Sequence, residues 1–171
     1  MSDTLMTIVA IVLAAILMFI FPLMTMADRA DDVAQTAVKA ATVEFVNEEA
    51  NIKGKIVKED LDKYLVNITS TGNTYVVELS VQVPDTNLGK KAVLANSERA
   101  GLNANYTIYN TQIQEYLDAH GEYDLPIESL FSVRVTNSNT TIGEQFKNFF
   151  YTVTGNDAYR IVVEYTAMAT K

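Results

Sequence analysis

The side chains that could hold a proton, attack a carbon or bind a metal are few in this 171-residue sequence, and they are scattered. There is one histidine, His120 in "LDAHGEYD", and there is no cysteine. That excludes disulfides, thiolate chemistry and Cys-based zinc sites, and it leaves no basis for a transition-metal site. His120 precedes a glycine, where a histidine suits the last turn of a helix and its partial negative charge. The acidic pairs Glu48–Glu49 and Glu59–Asp60 are the remaining candidates for general acid–base work. Both fall in helical stretches, where a solvated charged face accounts for them. "DTNLG" and "GNDAY" carry oxygens that suit Ca²⁺, but neither has the twelve-residue EF-hand pattern, and both read as turns. No nucleophile elbow, phosphate loop, H-E-x-x-H or dinucleotide fingerprint occurs. The sequence therefore reads as a non-enzyme: no catalytic residues, no metal ligands and no cofactor. N-x-T sequons at Asn67, Asn105 and Asn139 mark acceptor sites wherever a glycosylation system meets the chain.

The elements around these residues are more informative. "MSDTLMTIVAIVLAAILMFIFPLMTMADRADD" has no charge from Thr4 to Ala27, then Asp28, Arg29, Asp31 and Asp32 within five positions. The run Leu5–Met26 matches the ~20 helical residues that cross a bilayer. A secretory signal has a basic start, a shorter apolar stretch and a small-x-small cleavage site. Here the flank is "MSDT" and the apolar run is long, so the expectation is a retained membrane-spanning helix over residues 1–27. Its acidic C-terminal flank points the body outward. Pro22 predicts a kink. The formal net charge is -8, nearly all of it after residue 27. Such a body does not suit nucleic acid or an anionic membrane surface.

Helical character continues beyond the charges. In residues 28–50 the small or apolar positions Ala30, Val33, Ala34, Ala37, Val38, Ala41 and Phe45 follow i, i+3, i+4, i+7 spacing, and the stripe of Val33, Ala37 and Ala41 is expected to lie on the sheet. Asn51 and Gly54 are the expected stop. A continuous helix from Thr4 to Glu49 would be about 70 Å long. The rest, residues 51–171, reads as one α+β domain with a mainly antiparallel sheet. A short helix is expected over Val57–Ile68. A strand follows, with Tyr75, Val77, Leu79, Val81 and Val83 on one face and Pro84 at its end. A polar loop leads to a strand in "NANYTIYN" and a helix in "TQIQEYLDAHG" with Ile113 and Leu117 inward. Phe131, Val133 and Val135 alternate in another strand. Ile142, Phe146, Phe149, Phe150 and Val153 have helical spacing and read as core. A last strand carries Tyr159, Ile161, Val163 and Tyr165 on one side.

The layout of "TLMTIVAIVLAAILMFIFP", with Pro22 in it, resembles the type IV pilin-like subunits: pilins, pseudopilins and Tad-type pilins. Those proteins carry one long N-terminal helix. Its first half anchors in the membrane and later packs in a filament core, and its second half lies on a small sheet. The resemblance covers about 50 residues well and the rest in general architecture. Pilins usually carry a Glu at mature position five; here that position is Leu5, and the nearest acid is Asp3, which would stand in for it. What the resemblance implies is a membrane-anchored structural subunit of a surface filament or secretion-type pseudopilus. It would self-associate through its N-terminal helices and be handled by a pilus or secretion assembly machinery. Asp3, Ala10, Ala14, Ala15 and Pro22 are the expected anchor and assembly residues, the alanines because small side chains allow close helix approach. The alternative is a single-pass membrane protein whose extracytoplasmic domain binds a ligand or another protein.

Overall fold

The computed structural model describes residues 2–85, 105–141, 145 and 162–171. Their elements are helix α1 (Ser2–Asn47), a π-helical turn (Glu48–Lys53), β1 (Lys55–Val57), α2 (Lys58–Thr69), β2 (Tyr75–Pro84), β3 (Asn105–Tyr109), α3 (Asn110–His120), β4 (Glu122–Asp124), β5 (Leu130–Asn137) and β6 (Val162–Met168). The fold is α+β, with a long apolar N-terminal helix, short helices and two antiparallel sheets. The described residues group into two compact units: 2–36 with 140, 141 and 145, and 37–85 with 105–139 and 162–171.

In the first unit every side chain from Asp3 to Phe19 is exposed. Two threonines within the apolar run satisfy their own hydroxyls. Thr7 Oγ1 donates to the Asp3 carbonyl at 2.7 Å, and Thr25 Oγ1 to the carbonyls of Phe21 at 2.7 Å and Pro22 at 3.0 Å. This back-bonding removes the cost of carrying a hydroxyl into an apolar medium. α1 runs through Pro22 uninterrupted. Further along, Asp31 is buried and accepts a hydrogen bond from Thr141 Oγ1 at 2.9 Å.

The second unit holds a hydrophobic core. Its larger sheet has the order β3-β2-β5-β6, and every neighbouring pair is antiparallel. Register sets Leu79 opposite Val133, Val81 opposite Phe131 and Val135 opposite Val163, all buried on one face. Onto the core pack Val38, Phe45 and Val46 of α1, Leu61, Tyr64 and Ile68 of α2, and Ile113 and Leu117 of α3. Phe45 stacks on Tyr64 with centroids 4.6 Å apart and meets Phe131 edge-on at 6.1 Å. Burying one such ring contributes about 1.5–3 kcal/mol. The core also carries a polar chain. Thr42 donates to the Val38 carbonyl at 2.7 Å, so the Tyr64 hydroxyl, 2.8 Å away, donates to Thr42. Burial pushes the Tyr64 phenol up to about 12.

Gly54 ends the π-helical turn at φ 68. A Cβ there would also lie 2.8 Å from the Lys171 carbonyl oxygen, so conformation and close approach both call for glycine. Gly121, at φ 80, closes α3 directly after His120, as the sequence predicts.

Several expectations are corrected. Ala30, Val33 and Ala37 are exposed; the buried positions of α1 beyond residue 30 are Asp31, Ala34, Val38, Thr42, Phe45 and Val46, with Ala41 half-buried. The apolar spacing is compatible with two overlapping stripes, and the buried one runs through polar Thr42, whose hydroxyl is satisfied on the helix itself. The helix is α-helical only to Asn47 and widens before its stop. The two-stranded sheet of β1 and β4 was not anticipated, because three-residue strands carry no readable alternation. The alternation in the last strand is confirmed at Val163 and Tyr165, against exposed Val162 and Glu164. The aromatic stretch from Ile142, the loop after Asp85 and the "GNDAY" turn lie outside the described residues.

Candidate functional site

The expected anchor and assembly residues all lie on the exposed apolar part of α1. At about 100° per residue, Asp3, Thr7, Ala10 and Ala14 fall on one stripe, while Ala15 lies on its flank. With the two threonine hydroxyls turned onto backbone carbonyls, the segment presents an almost wholly apolar surface. It is long and apolar enough to cross a membrane, and none of its most apolar window is buried. A helix in the core of a water-soluble domain buries that surface.

At the other end of the helix the structure assembles a polar junction from residues that sequence reasoning assigned to a solvated face. Glu49 is fully buried. Its Oε2 accepts the Val57 amide at 2.7 Å, and its Oε1 accepts from Lys53 Nζ at 2.8 Å. Val57 leads into α2, whose first turn lacks a side-chain cap. The carboxylate thus supplies an acceptor and a negative charge at a helix N-terminus. Lys53 also holds Glu48 at 2.9 Å and Asp60 at 2.5 Å. Burial pushes the Glu49 carboxyl up, against the bonds from Lys53 and Val57 that favour its charged form. Burial alone would lower Lys53, but its bonds to Asp60, Glu49 and Glu48 outweigh that and raise it. The bond from Lys53 holds Asp60 below its ordinary range. A cation among three carboxylates, with the buried one satisfied on both oxygens, ties the end of the long helix to the start of α2. The legible signal was the Glu49–Lys53 i, i+4 spacing before a helix-ending glycine; Asp60 comes from another element and gave none.

Beside this junction α1 and α2 enclose a groove of about 190 Å³. Phe45 and Tyr64 form its floor, and Glu44, Glu48, Asp60 and Lys63 line it. On the side of α3, Tyr116 stacks on His120 at 4.2 Å and meets Tyr123 edge-on at 5.4 Å. His120 Nδ1 lies 3.1 Å from the Tyr116 carbonyl, so the histidine is held on its own helix. Tyr106, Tyr109 and Tyr116 are exposed nearby in the chain, on β3 and α3. Of the sequons, Asn67 and Asn105 are exposed, while Asn139 accepts the Thr74 amide at 2.9 Å and donates to Asn73 at 3.2 Å. Among the described residues no cluster of three metal-ligating side chains occurs.

Comparison with family models, with curated proteins and with solved structures found no match to this chain.

Proposed function

We propose that the protein is a structural, membrane-anchored subunit of pilin-like type, which assembles into a surface filament or a secretion-type pseudopilus. The observation that carries this reading is the contrast within α1. Its first part exposes an unbroken apolar surface, and its later part supplies Val38, Phe45 and Val46 to a core. A lipid bilayer covers the first part before assembly, and the same part of neighbouring copies covers it afterwards. In this reading the N-terminus lies inside and the α+β body outside, the chain is not an enzyme, and an assembly machinery moves it from bilayer to polymer. Supporting the same reading, Asp3, Thr7, Ala10 and Ala14 form a narrow, small or polar stripe that allows close helix approach.

A second reading is a single-pass protein with an extracytoplasmic binding domain. The exposed tyrosines of β3 and α3 favour it, since exposed aromatic rings are common anchors for partners. One experiment separates the two. Cells expressing the chain are sheared, and the released material is sedimented and imaged. Filaments containing this chain are expected. Recovery only from membranes, as a monomer, under conditions of full expression overturns the first reading in favour of the second.

A further inference from the structure

Three N-x-T sequons each place a carboxamide and a hydroxyl two residues apart, and the fold holds the three differently. A transferase that joins sugar to asparagine must take both groups into one cleft. Asn67 and Thr69 lie on α2, where residues two apart point about 200° away from each other. Thr69 Oγ1 donates to the carbonyls of Leu65 at 2.8 Å and Val66 at 3.0 Å, and Ile68 between the pair is buried. Bringing the two groups together would unwind the helix and pull Ile68 from the core. Asn139 is committed at both ends of its carboxamide, to the Thr74 amide and to Asn73 Oδ1, and buried Thr141 donates its hydroxyl to Asp31. Asn105 differs. It opens β3, an extended strand with one neighbour, β2, among the described residues. Residues two apart in a strand share a face. Register sets Asn105 opposite Pro84 and Thr107 opposite exposed Gln82, on the face away from buried Val81 and Val83. The Asn105 side chain is exposed and hydrogen-bonds to no other described residue. Tyr106 between the pair is itself exposed, so the segment can be gripped without disturbing the core.

We propose that Asn105 carries an N-linked glycan, and that Asn67 and Asn139 stay unmodified in the folded chain. The inference rests on the reading that places the body outside the membrane. Asn105 Nδ2 bonds to the anomeric carbon of an oligosaccharide carried on a polyprenyl pyrophosphate. The bond from that carbon to the pyrophosphate oxygen breaks, the lipid pyrophosphate leaves with the electron pair, and a base of the transferase takes one carboxamide proton. The Thr107 hydroxyl positions the sequon in the transferase. The attached sugar stands at the edge of the sheet, where its bulk blocks pairing of β3 with another chain.

The test uses the full-length chain in detergent, a single-subunit oligosaccharyltransferase that reads N-x-T alone, and a polyprenyl-pyrophosphate-linked oligosaccharide. Mass spectrometry of the intact chain and its peptides counts the additions. The folded parent should take one glycan, at Asn105. Synthetic peptides covering 63–72, 101–110 and 135–144 should all be accepted, because no fold restrains them. Asn105→Gln and Thr107→Val should each abolish the addition, Thr107→Ser should keep it, and Asn67→Gln or Asn139→Gln should change nothing. No addition to the folded parent, addition at Asn67 or Asn139, or rejection of the other two peptides overturns the inference. In its own cells the chain should carry the same added mass at Asn105. A Glu115→Cys variant, in a chain with no native cysteine, should label from outside with a membrane-impermeant maleimide. Labelling without added mass overturns the inference and leaves the outward body standing. Protection from the maleimide overturns that orientation and this inference with it.

Discussion

In the N-terminal unit, Phe19 and Phe21 stand 71% and 61% exposed on α1; in the other unit, Phe45 of the same helix is 6% exposed. All three are phenylalanines in a helix of good apolar character, and only the company differs. Around Phe19 the sequence is apolar on every side, so no face of the helix is marked for packing within the chain. Around Phe45 the polar residues Lys39, Glu44 and Glu48 mark an outside, and Val38, Thr42 and Val46 mark an inside. The first region specifies only that its surroundings be apolar; the second specifies shape and hydrogen bonding. A mutation in either region therefore acts on a different equilibrium, and that difference can be broken or sharpened.

The largest effect is expected at Phe45. Phe45→Ala removes a ring packed on Tyr64 and Phe131 and should cost about 3–5 kcal/mol of unfolding free energy. The measurement is denaturant unfolding of the detergent-solubilised chain, followed by tyrosine signals. Phe19→Ala should leave that transition where it was. Equal losses from the two substitutions would show that Phe19 also packs within the monomer, and the contrast would collapse.

Next in size is the buried carboxylate. Glu49→Ala leaves the Val57 amide and Lys53 without their acceptor and should cost on the order of 3 kcal/mol. Its neighbour Glu48, with a side chain 48% exposed, makes a surface pair worth about 0–1 kcal/mol. The pH dependence separates the members of the junction. The folded-state pKa of Glu49 is raised above its ordinary 4.5, so its ionisation is a cost that disappears on acidification. The parent should gain stability relative to Glu49→Gln as pH falls from neutral towards 4.5. Asp60 is lowered from 3.8, so its contribution is present above that value and lost as pH falls through the lowered one. The parent should lose ground to Asp60→Asn only below about 3.8. Movement of both variants in the same direction would contradict the assigned geometry.

What the sequence revealed follows the same division. The α+β class, the two short helices, the alternation in β2 and β5 and the glycine stops at Gly54 and Gly121 were legible, because each is written in local spacing. The buried stripe of α1 was legible at Ala34, Val38 and Phe45 and misread at Ala30, Val33 and Ala37. Alanine is equally at home on either face, and the residue that marks the true stripe, Thr42, hides its polarity on the helix backbone. The junction was not legible as a unit, because Glu49 meets Lys53 locally but Asp60 only through the folding of α2 against it. The revised stripe makes a small-effect prediction. Ala37→Asp should change stability by no more than about 0.5 kcal/mol, as an exposed substitution does. Val38→Asp, one residue on, should abolish folding of the unit, since Val38 is fully buried.

The smallest expected effect on folding belongs to the alanines of the apolar part, and there the contrast bears on function. Ala10, Ala14 and Ala15 are exposed, so replacing all three with leucine adds apolar surface and removes nothing that the monomer uses. A bilayer accepts the added methylenes readily. The variant should insert at normal abundance, and its unfolding transition should match the parent's. A helical bundle responds differently, because it must fit those positions against a neighbour, where overpacking costs about 1–3 kcal/mol per site. In a polymer that cost recurs in every subunit, so a modest penalty per contact becomes loss of the filament. Asp3→Ala is the companion: it too should insert, and it should fail to assemble if Asp3 supplies the charged contact near the helix start. Should both variants sediment as well as the parent, the apolar part of α1 requires only an apolar surrounding in every state. The membrane would then be its one partner, and the rest of the chain would carry the function alone.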